Sequence, residues 1–384
     1  GANDNASGCA TILEVARSLS KLVREGKLPR PARTIRFLWP CEIECTMALF
    51  HAHPEMRARF RAVIHMDMVG GGPVTKAIFH VTRGPLTLPT FVNDVGHAFG
   101  AFVNAESDAF ASGEGGKYPL VSPEGGKEPL LADLAEFSMG SDHEVYTEAS
   151  FRIPAIYLND WPDRYIHTNF DTPANIDATK LQRAAFIGAA SALFLADVRT
   201  ADVPALWSAM KAAITRRAGT MLERRALLSP PEGAVLTRAF LASERGALAS
   251  IASFAAIPSD VSRDADVFFQ RLETFLGALP PVAPATGDGA LVLQRVREVS
   301  GPVSQMANDY LEDRNTGPAP RLLSFLGARG SGSEYAYEVL NSVDGKRTAQ
   351  EIRDLVSAEY GPVPLDVVVE YLRVLGIAGV VRPR

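Results

Sequence analysis

The stretch RAVIHMDMVGG, residues 61–71, carries the strongest strand signal in the 384-residue sequence. Its β-branched and apolar residues form a short continuous run that two glycines close, which predicts a buried β-strand. Asp67 lies inside this run between two methionines. A carboxylate in an apolar strand is costly to bury unless it is hydrogen-bonded, paired or bound to a metal. The stretch therefore predicts a covered sheet and a carboxylate with either a structural or a functional role.

Three further short runs are typical of strands, namely TIRFLW at 34–39, AIFHVT at 77–82 and IPAIYLND at 153–160. Apolar residues recur at helical spacing from 12 to 23 and again from 179 to 197. Strands separated by helices predict an α/β domain with a mixed, mostly parallel sheet and helices on both faces. Ligands of such sheets bind beyond the carboxyl ends of the strands.

Side chains with the chemistry of metal ligands occur at the ends of these predicted elements. Glu42 follows the first of the three runs, and Asp67 and Asp160 lie at the ends of two strands. Asp4 lies in the turn GANDNASG that begins the sequence, and His167 lies in YIHTNFDT. Alone, each has a plain structural explanation, such as a hydrogen bond or a solvated surface. Together they provide the ligand types of a zinc pair with ions about 3.5–4 Å apart.

The composition excludes several functional classes. Hydrophobic residues make up 47% and charged residues 22%, as in an ordinary globular protein of two or three domains. The net charge of −5 provides no basic field for nucleic acid or an anionic membrane. No apolar run approaches the ~18–20 residues that span a bilayer, and no signal-peptide pattern is present. We therefore expect no nucleic-acid partner and no transmembrane segment, and the sequence leaves the localisation open.

The three cysteines, Cys9, Cys41 and Cys45, show no spaced framework of the kind that disulfide-built folds use. Cys41 and Cys45 flank Glu42, with no second cysteine pair and no adjoining histidine. We therefore expect small buried packing residues there, rather than a zinc–thiolate site.

The character of the sequence changes near residue 201. Long amphipathic helical patterns follow, and the Pro- and Gly-rich stretches 280–289 and 327–334 are interpreted as linkers. The predicted domains are a catalytic domain at 1–198, a helical segment at 199–326 and a compact C-terminal unit at 335–384.

Five motifs follow one another along the first half of the sequence: GANDNASG, FLWPCEIE, HMDMVGG, SDH and YIHTNFDT. In this order they resemble the motifs of the co-catalytic zinc aminopeptidases, a metallopeptidase family with glutamate carboxypeptidase and glutaminyl cyclase relatives. The resemblance covers residues 1–198. It implies the zinc exopeptidase fold, a peptide substrate and two zinc ions in a complete site. It also implies hydrolysis of N-terminal residues by zinc-activated water, with a glutamate as general base.

The resemblance further implies roles for single residues. Asp4 matches the aspartate that bridges both metals, and Asp67 and His167 match residues that each bind a zinc ion. Asp142, in the SDH motif, matches a residue that supports the ligands or lies near the substrate.

The sequence departs from the family pattern at the general base. The family's adjacent glutamates are split here into Glu42-Ile43-Glu44. In some relatives a single glutamate precedes a turn of the type that Cys45-Thr46 occupies here, which aligns Glu42 with that glutamate. We therefore interpret Glu42 as the general base and Glu44 as a candidate zinc ligand. In a strand, the i, i+2 spacing would place both side chains on one face.

A second departure lies beside the last motif histidine. Ile166 stands where the family has a tyrosine or another donor, and Tyr165 or Arg164 is the candidate substitute. His65, which shares a strand face with the aspartate two residues later, and His143 are candidates for supporting roles near the ligands or the substrate. The other histidines, at positions 51, 53, 80 and 97, are expected on the surface or have no supporting context.

In the family, an H-x-D strand end lies shortly before the aspartate turn, and its histidine binds zinc. This sequence begins after that point, so we expect an N-terminally truncated piece of a longer protein that binds fewer than two zinc ions. Two alternatives stay open: a glutaminyl cyclase-like acyltransferase on the same fold, and an inactive scaffold that binds peptides.

The C-terminal unit resembles the winged-helix-like domain of the peptide chaperone in pyrroloquinoline quinone biosynthesis. The matching pattern is LNSVDGKRTAQEI, a helix start at PLDVV and the stretch LRVLGIAGVV. Thr348 and Glu351 have the spacing of a capping box. Residues 335–384 carry six cationic and seven anionic side chains, a poor footprint for DNA. A peptide or protein partner is therefore expected for this unit.

Overall fold

The computed structural model describes residues 1–303 and 309–384, so residues 304–308 of the predicted helical segment lie outside the described residues. The strands are β1 (Val63–Asp67), β2 (Ile78–Thr82), β3 (Ala155–Trp161), β4 (Leu293–Arg295) and β5 (Val381–Pro383). The helices are α1 (Gly8–Arg24), α2 (Glu44–Ala52), α3 (Pro54–Arg57), α4 (Val92–Ala111), α5 (His143–Thr147), α6 (Ala178–Asp197), α7 (Val203–Ala226), α8 (Pro230–Ser250), α9 (Ser259–Leu276), α10 (Tyr310–Arg314), α11 (Gly332–Asn341), α12 (Ala349–Tyr360) and α13 (Leu365–Ile377).

The main sheet has three described strands in the order β1-β3-β2. β1 and β3 run parallel, with Asp67 at the C-terminal end of β1, whereas β2 runs antiparallel to β3. Side chains alternate along the central strand β3, so Ile156 and Leu158 face one side and Ala155 and Tyr157 face the other. Helices α4 and α6 cover the first side, and α2 and α5 cover the second. The predicted α/β fold, with a mixed sheet between helices, is therefore confirmed.

The prediction of a strand at 34–39 is wrong. This run has no regular secondary structure, and β1 is an edge of the main sheet among the described strands. A cleft of about 550 Å³ lies beside β1 and is lined by residues of both segments, including Ile35, Trp39, Val63 and His65. A strand forms only where a neighbouring strand completes its hydrogen bonds, so an apolar run without such a neighbour stays irregular.

The two helices predicted in the first half are present as α1 and α6, which pack against each other and against β1. The region after residue 201 forms the long helices α7–α9, as predicted. These helices extend the core of the sheet, because Trp207, Met210 and Phe269 belong to the same buried cluster as Val81. None of the described helices combines the length and the apolarity that a bilayer crossing requires.

The C-terminal unit has its own core, in which α11–α13 bury Tyr335 and Val368. β4 and β5 pair antiparallel, so part of the predicted segment 199–326 folds with this unit. The predicted capping box is present. The Thr348 N–H donates to Glu351 Oε2 at 2.7 Å, and the Glu351 N–H donates to Thr348 Oγ1 at 3.2 Å.

Candidate functional site

Asp4 lies in the kinked turn Ala2–Ser7, directly before α1, and its φ of −105° and ψ of 100° are not helical. The carboxylate of Asp171 fixes this turn, because it accepts hydrogen bonds from the N–H groups of Asn3 at 2.7 Å and Asp4 at 3.0 Å. Burial opposes the ionisation of Asp171, but these two donors prevail and lower its pKa. Asp4 Oδ2 lies 3.2 Å from Nε2 of His167, so residues from the first and last motifs meet in the fold.

Asp67 is buried at the end of β1. Its Oδ2 accepts a hydrogen bond from the Ser141 hydroxyl at 2.8 Å, whereas its buried Oδ1 has no hydrogen-bond partner among the described residues. Burial, together with the nearby carboxylates of Glu42 and Asp4, raises the pKa of Asp67 to about 7. A cation would stabilise a buried carboxylate in such surroundings.

Ser141 links Asp67 to His65. The serine hydroxyl donates to Asp67 Oδ2, and His65 Nε2 lies 2.8 Å from the same hydroxyl oxygen. Burial lowers the pKa of His65 to about 3, and the ring is neutral at physiological pH. The motif SDH drew attention to its aspartate, and only the fold shows that its serine is the direct partner of Asp67.

Glu42 lies in a tight turn before α2 rather than at a strand end. The next residue, Ile43, has a φ of 56°, and its N–H donates to Asp142 Oδ1 at 2.8 Å. The Glu42 side chain is exposed, but surrounding protein partly desolvates its carboxylate and so raises its pKa. A hydrogen bond with Ser141 and the charge of His167 oppose this rise, whereas the charges of Asp142 and Asp4 add to it. A raised pKa suits a carboxylate to general-base work near neutral pH.

A disulfide joins Cys41 to Cys45 across this turn, with the two Cα atoms 5.2 Å apart. Both cysteines are exposed, so the prediction of buried packing residues is wrong. The turn before α2 brings two cysteines four residues apart within disulfide range, which the cysteine count alone could not indicate. Cys9 is free and exposed.

Glu44 is the first residue of α2 and is exposed. Because residues 42–44 form a turn and a helix start, the two glutamates do not lie on one face of a strand, and that expectation is wrong. No contact among the described residues joins Glu44 to Asp4, Asp67 or His167. Its role as a zinc ligand stays a prediction.

Tyr165 and Arg164 contact each other. The Arg164 guanidinium carbon lies 4.8 Å from the centroid of the Tyr165 ring, which also packs against Phe170 at 6.0 Å. In the described part of the chain, no contact joins either side chain to the carboxylates. Their role as a substitute donor stays a prediction.

His143 and Glu144 begin the buried helix α5. The His143 ring stacks on Tyr157 with centroids 4.1 Å apart, and its Nε2 lies 2.6 Å from the carbonyl oxygen of Ser138. These contacts pack His143 against Tyr157, and its supporting role near the ligands or the substrate stays a prediction. Burial raises the pKa of Glu144 to about 8, with a further contribution from the charge of Glu42. No sequence motif indicated Glu144, which is an additional carboxyl group near Glu42 and Asp142.

Asp160 lies near the end of β3, as predicted, but it is neutralised there. Its Oδ1 lies 2.5 Å from Lys180 Nζ, and its Oδ2 accepts a hydrogen bond from the Gly71 N–H at 2.8 Å. These partners explain the buried charge of Asp160 without any ligand.

The candidate ligands have the chemical types that bind a divalent metal, but too few of them converge on one point. Asp4, Asp67 and His167 provide carboxylate and imidazole donors, and Asp67 Oδ1 has no hydrogen-bond partner among the described residues. Within residues 1–303 and 309–384, however, no three His, Cys, Asp or Glu side chains converge closely enough to hold one ion. Asp4 with His167 is therefore a two-ligand pair, and Asp67 lies apart from it.

The carboxylates and the histidine of this mixed α/β domain are donor types that metal-dependent hydrolases use. The sequence profile described as peptidase family M28 matches residues 1–192, half of the chain. The chain belongs to this family, whose members are generally metal-dependent peptidases.

A solved structure from Clostridium acetobutylicum, provisionally described as a peptidase, is similar at 13% sequence identity with a TM-score of 0.36. The alignment covers 100% of this chain and 54% of that chain, so this chain spans about half the length of that structure. No curated protein matches the sequence.

Proposed function

We propose that this chain carries the site of a zinc-dependent aminopeptidase, which removes N-terminal residues from peptides. In this proposal Asp4, Asp67 and His167 are metal ligands, with Asp67 separate from the Asp4–His167 pair, and Glu42 is the general base. Asp142 supports the turn that presents Glu42, through its hydrogen bond from the backbone N–H of the next residue.

The observation that carries the proposal is the environment of Asp67. Its Oδ1 is buried without a donor, and burial with the carboxylates of Glu42 and Asp4 raises the pKa of Asp67 to about 7. Native structures seldom leave a buried polar atom in that state without a reason. A divalent cation would supply the missing partner and would offset the repulsion between the carboxylates.

Bound zinc would supply Lewis acidity and would lower the pKa of a water molecule. Glu42 takes a proton from the attacking water and passes it to the leaving amine, the two tasks of a general base and acid. Ser141 holds Asp67 through its hydroxyl, and Asp171 holds the Asp4 turn through two backbone N–H groups. These partners set the ligand positions before a substrate arrives.

Excess negative charge favours a substrate with a free α-amino group. Around Glu42, the charges of Asp142 and Asp4 raise its pKa and His167 acts in the opposite direction, so carboxylates outnumber cationic partners. Glu144 adds a further carboxyl group nearby. An ammonium group would be attracted to this cluster, which supports exopeptidase action over cleavage within a chain.

Leucine p-nitroanilide and its N-acetylated form, assayed with the zinc-loaded chain and with a chelator-treated control, test the proposal. We expect turnover of the free amine to exceed that of the blocked amine by roughly tenfold or more, the scale of one charge-assisted contact. Equal turnover of both would contradict an aminopeptidase. Pyroglutamate formation from a glutaminyl peptide without anilide turnover would favour the cyclase alternative, and peptide binding without turnover would favour the inactive scaffold.

For the C-terminal unit, residues 335–384, we propose a peptide or protein partner. The near balance of its charges supports this choice over DNA. The Tyr337 hydroxyl donates to the carbonyl of Glu144 at 2.7 Å, so the unit packs directly on α5. This packing next to the carboxylate cluster supports a role in the same process. The division into 1–198, 199–326 and 335–384 stays a prediction.

A further inference from the structure

We infer that the disulfide between Cys41 and Cys45 positions the carboxylate of Glu42, and that reduction of this disulfide switches the site off. The inference rests on the proposed function in one respect, the role of Glu42 as general base. The disulfide closes a ring that contains Glu42, Ile43 and Glu44.

The enclosed turn has a backbone conformation that its sequence disfavours. Ile43 has φ 56° and ψ −66°, although its β-branched side chain makes a positive φ unfavourable. A residue keeps such a conformation only where its surroundings over-determine it. The turn therefore depends on external restraints.

Within the turn the Glu44 N–H donates to the Glu42 carbonyl oxygen at 2.6 Å, and three further restraints act on the turn from outside. The Ile43 N–H donates to Asp142 Oδ1 at 2.8 Å, and the Ile43 side chain, only 2% exposed, belongs to the apolar cluster of Phe50. The disulfide is the third, and it is the one that reaches Cys41, the residue directly before Glu42. The covalent bond therefore fixes the side of the turn that carries the candidate base.

A reductant can reach the disulfide, because both Cys41 and Cys45 are exposed. A dithiol reductant transfers two electrons and two protons to the S–S bond, which yields two thiols and leaves the reductant as a disulfide. Once the bond is open, Ile43 can return to a negative φ, which reorients the peptide that follows Glu42. The carboxylate then leaves its position, while Asp4, Asp67 and His167 lie on other elements and stay in place.

The test compares the oxidised chain, the same chain treated with a phosphine reductant, and the double variant Cys41→Ser/Cys45→Ser. A phosphine is preferable because dithiols also bind zinc. Cys9→Ser is the matched control, since it removes the free cysteine and leaves the disulfide. Two quantities are measured: amide hydrogen exchange of residues 41–47 by mass spectrometry, and kcat and KM for an aminoacyl-anilide.

We expect the amide of Ile43 to exchange roughly tenfold or more faster in the reduced chain and in the double variant. We expect kcat to fall roughly 10- to 100-fold with KM little changed, as for a misplaced catalytic group. In a Glu42→Gln background, reduction should add no further loss of kcat. Cys9→Ser should behave like the unaltered chain in both redox states.

Unchanged exchange and unchanged kcat after reduction would overturn the inference. A further fall in kcat when the reductant is added to Cys41→Ser/Cys45→Ser would also overturn it, because the reductant would then act at another place in the protein. If no state turns over the anilide but the Ile43 amide still responds to reduction, the proposed peptidase function fails while the disulfide retains its control of the turn.

Discussion

The raised pKa of Asp67 comes from its position in the fold rather than from its residue type. It ends a buried strand, receives one hydroxyl donor from Ser141, and lies near the charges of Glu42 and Asp4. Burial and the two neighbouring charges raise the pKa of Asp67, whereas the hydrogen bond from Ser141 lowers it. The result is a carboxyl group with a pKa of about 7 that a cation would return to the ionised state.

Glu42→Gln and Glu44→Gln form a matched pair that tests the general base. We expect Glu42→Gln to lower kcat by roughly 10²–10⁴-fold, because the amide cannot accept the proton of the attacking water. Glu44→Gln removes a candidate zinc ligand at the start of α2 and not the base, so at saturating zinc its kcat should stay close to that of the unaltered chain. The measurement is kcat for an aminoacyl-anilide with saturating zinc. A dead Glu44→Gln beside a near-normal Glu42→Gln would reverse the assignment.

Ser141→Ala tests the partner of Asp67. The variant removes the hydroxyl that donates to Asp67 Oδ2 and leaves the backbone intact. We expect kcat/KM to fall roughly 10- to 100-fold, the usual effect of losing a residue that orients a metal ligand. Ser138→Ala is the control, because the described contact of Ser138 with the His143 ring is made by its carbonyl oxygen. Equal kcat/KM in both variants would argue against the role of Ser141.

Motifs could locate Asp4, Asp67 and His167, because each lies in a short pattern that resembles a family, and the fold does bring Asp4 to His167. Their metal-binding roles stay predictions. Ser141 and Asp171 could not be identified as partners, because their contacts join segments far apart in the sequence. Hydrogen bonds of that kind depend on tertiary placement, which local patterns do not encode.

At the scale of elements, β1–β3, α1 and α6 could be predicted because their hydrophobic periodicity agrees with their final environment. The run at 34–39 has equal local propensity and yet forms no strand. Strand formation is decided by a neighbour, and none of the described strands pairs with this run. The expectation that Glu42 and Glu44 share a strand face was wrong for the same reason, because it required an extended segment at these residues.

Arg217 joins three helices and provides an element-scale prediction. It pairs with Asp94 of α4 at 2.8 Å and makes two hydrogen bonds, at 2.7 and 2.6 Å, to Glu244 of α8. Arg217→Met would leave two buried carboxylates without a cation, so we expect a loss of about 3–5 kcal/mol in the free energy of unfolding. Arg373→Ala, which breaks the exposed pair with Asp288, should lose no more than about 1 kcal/mol. Urea unfolding measures both, and equal losses would contradict the argument.

At the scale of the whole molecule, the C-terminal unit meets the sheet domain through two buried glutamates. Glu338 accepts hydrogen bonds from the Thr87 N–H at 3.2 Å and its hydroxyl at 2.7 Å, and Glu359 accepts one from the Leu86 N–H at 3.1 Å. Burial, followed by the charge of Glu338, raises the pKa of Glu359 well above its ordinary value. The interface therefore favours a protonated Glu359.

This interface predicts a pH dependence of stability. Because the pKa of Glu359 is higher in the folded protein than the unfolded value near 4.5, the folded state binds more protons. The stabilising contribution is complete below pH 4.5 and is lost as the pH rises toward the folded pKa. Glu359→Gln keeps an acceptor for Leu86 and removes the charge, so it should raise the melting temperature at pH 8 and change it little at pH 4.5.

Scanning calorimetry of the unaltered chain, Glu359→Gln and the exposed control Glu298→Gln at both pH values checks this prediction. The expected gain at pH 8 is about 1.4 kcal/mol for each unit by which the fold raises the pKa. A Glu359→Gln variant that is equally destabilised at both pH values would show that Glu359 is charged in the folded protein.

The central claim is that Asp4, Asp67 and His167 form a metal site, and zinc affinity measured by competition with a chromophoric chelator tests it most directly. The chain is compared with Asp67→Asn and with Asp133→Asn, which alters an exposed carboxylate paired with His80. We predict saturable zinc binding with fewer than two ions per chain, weakened roughly tenfold or more by Asp67→Asn and unaffected by Asp133→Asn. Zinc binding of equal affinity in all three proteins would contradict the claim.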